Sequence, residues 1–224
     1  MSRDAILIED KSLNGKTGVF RDRIEAGDLL ANLLGIYEDS SALVLAIPSG
    51  GVPVGLTMSR NLNLPFDLIP VRKIPIPGNT EAGFGALTLE GDRFLNKSLV
   101  SQLGLTDEEI EELSLPVREE LTRRNRVFRQ DRPFPNMHDR RVIVVDDGLA
   151  SGYTMLATVH MVKRRGASYI VVAVPTAPMG SIRRIAPSVD EIYCLNVRET
   201  PFFAVADAYR LWYDLTEEDV ISLL

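Results

Sequence analysis

Two adjacent carboxylates, Asp146 and Asp147, close the apolar run Val142-Ile143-Val144-Val145. A small-residue loop, Gly148-Leu149-Ala150-Ser151-Gly152, then carries the chain into a helical pattern at Tyr153 and Thr154. In an open α/β sheet, ligands bind at the carboxyl ends of strands, which puts both acids in the crevice such a sheet offers. The loop supplies consecutive backbone amides at a helix N-terminus, with hydroxyls on Ser151 and Thr154, a combination suited to phosphate. Carboxylates repel a bare phosphate. The two halves agree if the ligand carries vicinal hydroxyls beside a phosphate, with the acids accepting from the hydroxyls while the loop holds the phosphate. A ribose 5-phosphate derivative meets both demands.

The run Leu45-Ala46-Ile47-Pro48-Ser49-Gly50-Gly51-Val52 has the same form, an apolar strand, a glycine-bearing turn and a helix start. Glycines there permit close backbone approach. Around these segments, short β-branched runs at residues 42–47, 66–71, 141–146, 169–174 and 191–195 alternate with helical patterns at 24–36, 52–61, 153–164 and 181–185. Near-continuous apolar strands between helices indicate an α/β fold, a mainly parallel sheet buried on both faces. One domain spanning 1–224 is expected, with an insertion at about 74–138.

The insertion opens with Pro75-Ile76-Pro77-Gly78-Asn79-Thr80-Glu81-Ala82-Gly83, rich in turn formers and expected to be a mobile loop. Residues 87–90 and 93–96, with Gly91-Asp92 between them, suggest a β-hairpin. Thr106 and Glu109 form a capping box for a charged helix, which Pro116 is expected to kink or split. The basic run Arg123-Arg124-Asn125-Arg126 has Glu111, Glu112, Glu119 and Glu120 nearby and is best read as a solvated, ion-paired face.

A net charge of −6 weighs against a general nucleic-acid partner. The single cysteine, Cys194, excludes an intrachain disulfide and a cysteine-rich zinc site. The apolar run at residues 5–8 is too short for a signal peptide, and no stretch has the length of a membrane span. A cytoplasmic protein without membrane contact is the expectation.

The stretch from Val144 to Thr154 resembles the fingerprint of the type I phosphoribosyltransferases, with Ser151 where threonine is usual. Phe20-Arg21-Asp22-Arg23-Ile24-Glu25-Ala26-Gly27, the Pro-Val-Arg-Lys of residues 70–73, the Pro-Gly-Asn-Thr-Glu of 77–81 and Gly85-Ala86 are similar to a narrower, poorly characterised bacterial and archaeal group of that family. The resemblance implies transfer of a phosphoribosyl group from phosphoribosyl pyrophosphate (PRPP) to a nucleobase-like nitrogen, with Mg2+ bridging substrate oxygens, no metal cage built by the protein, and a homodimer. It implies that Asp146 and Asp147 orient the ribose–metal complex, that Ala150, Ser151, Gly152, Tyr153 and Thr154 hold the 5-phosphate, and that Ser49, Gly50 and Gly51 hold pyrophosphate. Lys73, with Arg72 second, is the candidate for the leaving pyrophosphate. The 75–83 segment becomes the lid, with Glu81 toward the acceptor. That group usually has a basic residue where this chain has Ser49, which leaves a PRPP-sensing regulator without turnover as the alternative. Ala150 stands where hypoxanthine and guanine enzymes carry aspartate, so their device for proton transfer at the purine is missing. A C-terminal hood at about 196–224 is expected to offer Phe202, Phe203, Tyr209, Trp212 and Tyr213 for stacking.

Two other readings fit less well. Gly15-Lys16-Thr17 ends like a phosphate-binding P-loop, but Asp10 occupies the place of its first glycine. A serine hydrolase lacks its Gly-x-Ser-x-Gly elbow here, and neither His138 nor His160 has a catalytic partner in view.

Overall fold

Strands that are apolar on both sides need cover on both sides, and the alternation of their side chains decides which helix covers which. The structure, a computed structural model, describes residues 5–200 and 202–224, apart from the side chains of Thr80 and Glu81. In chain order the strands are β1 (Ile6–Glu9), β2 (Leu43–Ala46), β3 (Phe66–Leu68), β4 (Val71–Ile76), β5 (Asn79–Thr88), β6 (Arg93–Leu95), β7 (Arg141–Val145), β8 (Tyr169–Pro178) and β9 (Glu191–Arg198). The helices are α1 (Arg23–Leu33), α2 (Gly51–Asn61), α3 (Lys97–Leu103), α4 (Asp107–Arg129), α5 (Tyr153–Arg164), α6 (Met179–Ile185) and α7 (Glu217–Leu223).

Six strands make one parallel sheet in the order β1-β9-β8-β7-β2-β3. Leu43, Leu45, Val142, Val144, Val172 and Val174 pack on one face against Met155, Val159 and Val162 of α5 and Ile182 and Ile185 of α6. Their neighbours Val44, Ile143, Val145, Val171 and Ala173 pack on the other face against Ala26 and Leu30 of α1 and Val54 and Met58 of α2. Each such side chain contributes roughly 1.5–3 kcal/mol when buried. From β2 the chain proceeds outward to β3, whereas from β7 it proceeds the opposite way to β8 and β9. The direction of winding therefore reverses between β2 and β7, and the loops after these two strands flank a crevice.

The α/β expectation is met, with four differences of detail. The strand expected at 66–71 is two strands in different sheets. The Ile69 amide still bonds to the Ala46 carbonyl at 2.9 Å, but Pro70 has no amide to offer, and Val71 starts the second sheet. The expected loop at 75–83 is paired backbone. It lies in the antiparallel β4–β5 ribbon, whose register shifts at Pro75 absorb the proline and whose turn uses Gly78 at φ +76°. The hairpin at β5–β6 is present, but β5 ends at Thr88 and a four-residue turn follows. Finally, α4 runs unbroken through Pro116. That residue and Glu112, four positions earlier, are both exposed, so water can satisfy the carbonyl that proline leaves unbonded.

The small sheet β4-β5-β6 packs Ile74, Phe84 and Leu87 against Ile110, Val117 and Leu121 of α4. Arg129, buried at the end of α4, grips Asp67 of β3 with two contacts of 3.0 and 2.8 Å and so ties the inserted unit back to the main sheet. The basic run is ion-paired, with Glu120 of the expected partners and otherwise with Glu217 and Asp131. Gly15-Lys16-Thr17 lies in turn and bend with no helix until Arg23, so the P-loop reading fails on geometry. Among the described residues, no helix is long and apolar enough to cross a membrane.

Candidate functional site

The loop after β7 is held by its carbonyls. Ser181 Oγ donates to the Ala150 carbonyl, and Arg184 Nη1 donates to that of Ser151, both from α6. In a planar trans peptide the amide points opposite to the carbonyl, so these two anchors turn the Ser151 and Gly152 amides away from α6. Among the described residues, no acceptor takes the amides of Ala150, Ser151 or Gly152. Gly152 stands at φ +83°, a conformation that only glycine adopts freely, and α5 begins at the next residue with its dipole directed at the loop.

These amides face a cavity of about 310 Å³. It is lined by Asp146, by all of Gly148 to Met155, and from the inserted ribbon by Lys73, Ala82, Gly83 and Gly85. Asp146, Lys73, Ala150, Ser151, Gly152, Tyr153 and Thr154 are thus brought together, as their sequence positions suggested. Burial, then the neighbouring Asp147 charge, pushes the Asp146 carboxyl well above the ordinary carboxylate range. A site with an acid in this state favours a ligand complex that brings positive charge to it.

Asp147 does not line that cavity. Its Oδ2 accepts from Arg23 Nε at 2.8 Å, the two side chains being 13% and 7% exposed. The Arg23 guanidinium lies 3.9 Å over the Trp212 ring and donates to the Tyr213 carbonyl, while Tyr209 donates its hydroxyl to the Asp147 carbonyl at 2.6 Å. Burial raises the Asp147 carboxyl, and the Arg23 charge works against that rise. Asp147 is thus held through Oδ2 in an internal ion pair.

Ser49, Gly50 and Gly51 lie alongside. A Cβ on Gly50 would fall 2.0 Å from Asp147 Oδ2, and one on Gly51 would fall 2.7 Å from the Val145 carbonyl. Only glycines let the loop after β2 pack this closely on the strand end of β7. Arg72 takes the opposite side of its strand from the cavity and pairs with Glu120 at 2.9 Å. Arg123 first, then Arg124 and Arg72, hold the Glu120 carboxyl at about 2. The Glu81 side chain lies outside the described residues.

The aromatics named for the C-terminal segment are divided between core and solvent. Tyr209 is buried between Phe20 and Trp212, with ring centroids at 5.6 and 5.2 Å, and Phe202 is 87% exposed. Tyr209 fills core because the Phe20–Arg21 backbone is laced to residues 208–211, while Phe202 and Tyr213 are exposed. Val205 of this segment does reach the site region, packing where a Gly148 side chain would stand. His160 stacks on Phe94 at 4.6 Å, and Cys194 is buried, its thiol pushed up to about 12. Among the described residues, no group of three or more His, Cys, Asp or Glu could form a metal cage. A divalent cation would instead share Asp146 with ligand oxygens, an arrangement Mg2+ accepts. Sequence reasoning named Arg23 only within the 20–27 pattern, without its partner Asp147, and missed Ser181 and Arg184, which hold the loop from α6.

The model for the phosphoribosyl transferase domain matches residues 22–207. Two Mycobacterium tuberculosis sequences, Rv0571c of strain H37Rv and MT0597 of strain CDC 1551, carry names that assign them provisionally as phosphoribosyl transferases. Each is 35% identical over 208 residues, covering 92% of this chain and 46% of its own length. The chain thus spans about half the length of the curated relatives it matches. The crystal structure of TT1426 from Thermus thermophilus shares 33% identity and a TM-score of 0.74, covering 91% of this chain and 96% of that one.

Proposed function

The chain belongs to the phosphoribosyl transferase domain family, and from that membership we propose that it transfers the phosphoribosyl group of PRPP to a nitrogen of a nucleobase-like acceptor, releasing pyrophosphate. The observation that carries the reading is one cavity of about 310 Å³ lined together by Asp146, by the loop from Gly148 to Thr154 and by Lys73 of the inserted ribbon. The amides and the Ser151 and Thr154 hydroxyls would bind the 5-phosphate, and Asp146 would accept from a ribose hydroxyl. Lys73 would take negative charge developing on the leaving oxygen. The Ser49–Gly51 turn, on the β2 side of the crevice, would receive the pyrophosphate.

In the step itself, the ribose C1–oxygen bond breaks with its electron pair leaving on pyrophosphate, the acceptor nitrogen bonds to C1, and the acceptor gives up a proton. The protein's contribution is to position the reactants, neutralise charge and exclude water, so no nucleophilic side chain is needed. Mg2+, when bound, would supply charge neutralisation on pyrophosphate. Asp146 fits such an ion, being a cavity-facing acid that Arg23 does not pair with.

The test is Mg2+-dependent pyrophosphate release from PRPP with a panel of purine and pyrimidine bases. Steady release with one of them supports transfer. Saturable PRPP binding without release from any would favour the regulator reading, to which Ser49 gives its support. Absence of PRPP binding would overturn both.

A further inference from the structure

Arg198 ends β9 with only 5% of its surface exposed. A guanidinium carries five N–H donors. Here Nη1 donates to the Lys16 carbonyl at 3.2 Å, Nε is buried without a partner, and no carboxylate of the described residues pairs with the group. Buried arginines are normally paired, because an uncompensated charge away from water is costly. The Lys16 contact explains one donor. It does not explain a cation sunk beside an open space.

That space is a cavity of about 450 Å³ lined by Arg198, Arg183, Glu199, Thr200 and residues 178–180. It is separate from the cavity at Asp146. Helix α6 stands between them, with Ser181, Arg184 and Ile185 turned to the loop after β7 and Met179, Gly180 and Arg183 turned to the second cavity. Residues four apart share a helix face, as Met179 and Arg183 do. Register pairs Pro178 with Arg198, so the cavity opens at the carboxyl ends of two adjacent parallel strands.

We propose that this cavity is a second oxyanion site, in which Arg198 and Arg183 take the carboxylate or phosphate of a small polar molecule. Glu199 lines the same space and pairs with neither arginine, which selects a ligand bearing a hydrogen-bond donor beside its acid group. The Thr200 hydroxyl already donates to the Phe202 carbonyl, and its oxygen can still accept from such a donor. The site stands on its own residues and does not depend on what binds at Asp146.

Calorimetric titration of the full chain tests it, with inorganic phosphate and malate, whose hydroxyl donor sits beside a carboxylate, titrated separately in the presence of ribose 5-phosphate. At least one anion should bind saturably at one site per chain, and the two arms separate a phosphate ligand from a carboxylate one. Arg198→Gln should weaken that binding about tenfold or more, and the exposed Arg183→Gln, which leaves the core untouched, several-fold, as expected for lost charge-assisted hydrogen bonds. Thr154→Ala, at the other cavity, should leave it unchanged. No saturable binding of either anion, binding that survives both arginine substitutions, or binding lost in Thr154→Ala would overturn the proposal.

Discussion

Arg23 Nε lies 2.8 Å from Oδ2 of Asp147, so one ion pair joins the first residue of α1 to the end of β7 across 124 positions of sequence. Gly50 packs on the same carboxylate oxygen, and Trp212 and Tyr209 cover the pair from the C-terminal segment. Separate parts of the chain thus converge on Asp147, which gives it a positioning role for the crevice between β2 and β7.

Removing the cation alone should be costly. Arg23→Gln leaves a buried carboxylate unpaired, a change worth roughly 3–5 kcal/mol. The variant should melt about 10 °C lower. Arg23→Lys should recover part of the loss, since it restores the charge without the fork. Thermal melts of the three proteins check this, and equal melting temperatures would contradict the buried-pair account.

Asp146 should behave in the opposite way. Its carboxyl is raised by burial and by Asp147, and a group raised on folding favours the fold below its unfolded value of about 3.9. That contribution is lost as the pH climbs through the raised value. Asp146→Asn removes the titration, so it should melt higher than the parent at pH 8, by about 2–4 °C for each kcal/mol recovered. The difference should shrink as the pH is lowered toward and below the raised value of the carboxyl. A gap that widened on acidification would contradict the sign.

The two neighbouring bases of β4 should separate cleanly. Lys73 lines the cavity, whereas Arg72 pairs with Glu120. Lys73→Ala should raise the PRPP dissociation constant about tenfold or more, the loss of one charge-assisted hydrogen bond of ~1.5–3 kcal/mol. Arg72→Ala should leave that constant within about a factor of two and cost at most ~1 kcal/mol of stability, the range for partly exposed ion pairs. Binding isotherms for both variants decide it, and an equal loss in the two would place Arg72 in the site after all.

The parts of this molecule that can be read from the sequence are those whose physics is local. A buried strand, an acid at its end, a loop of small residues and a helix start are contiguous from Val142 to Tyr153, and the cavity is built on them as expected. The ribbon at 75–83 reads as a loop because Pro75, Pro77 and Gly78 signal turns, and only the pairing partner at 79–88 shows that a shifted register absorbs them. Asp147 cannot be placed from its own surroundings because its partner Arg23 lies in a distant helix. The aromatics of 202–213 carry no sign of which would meet Phe20 in the core and which would face solvent. Side chains such as Ser181 and Arg184, which aim the loop by its carbonyls, leave no local pattern at all.

The central claim is that Asp146 and the loop from Gly148 to Thr154 together hold PRPP. Calorimetric titration of PRPP with Mg2+ into the parent protein and into Asp146→Asn tests it most directly. The parent should bind saturably at one site per chain, and that binding should collapse in the variant, although the variant is folded and melts higher at pH 8. A well-folded parent that binds no PRPP, or an Asp146→Asn variant that binds it undiminished, would contradict it.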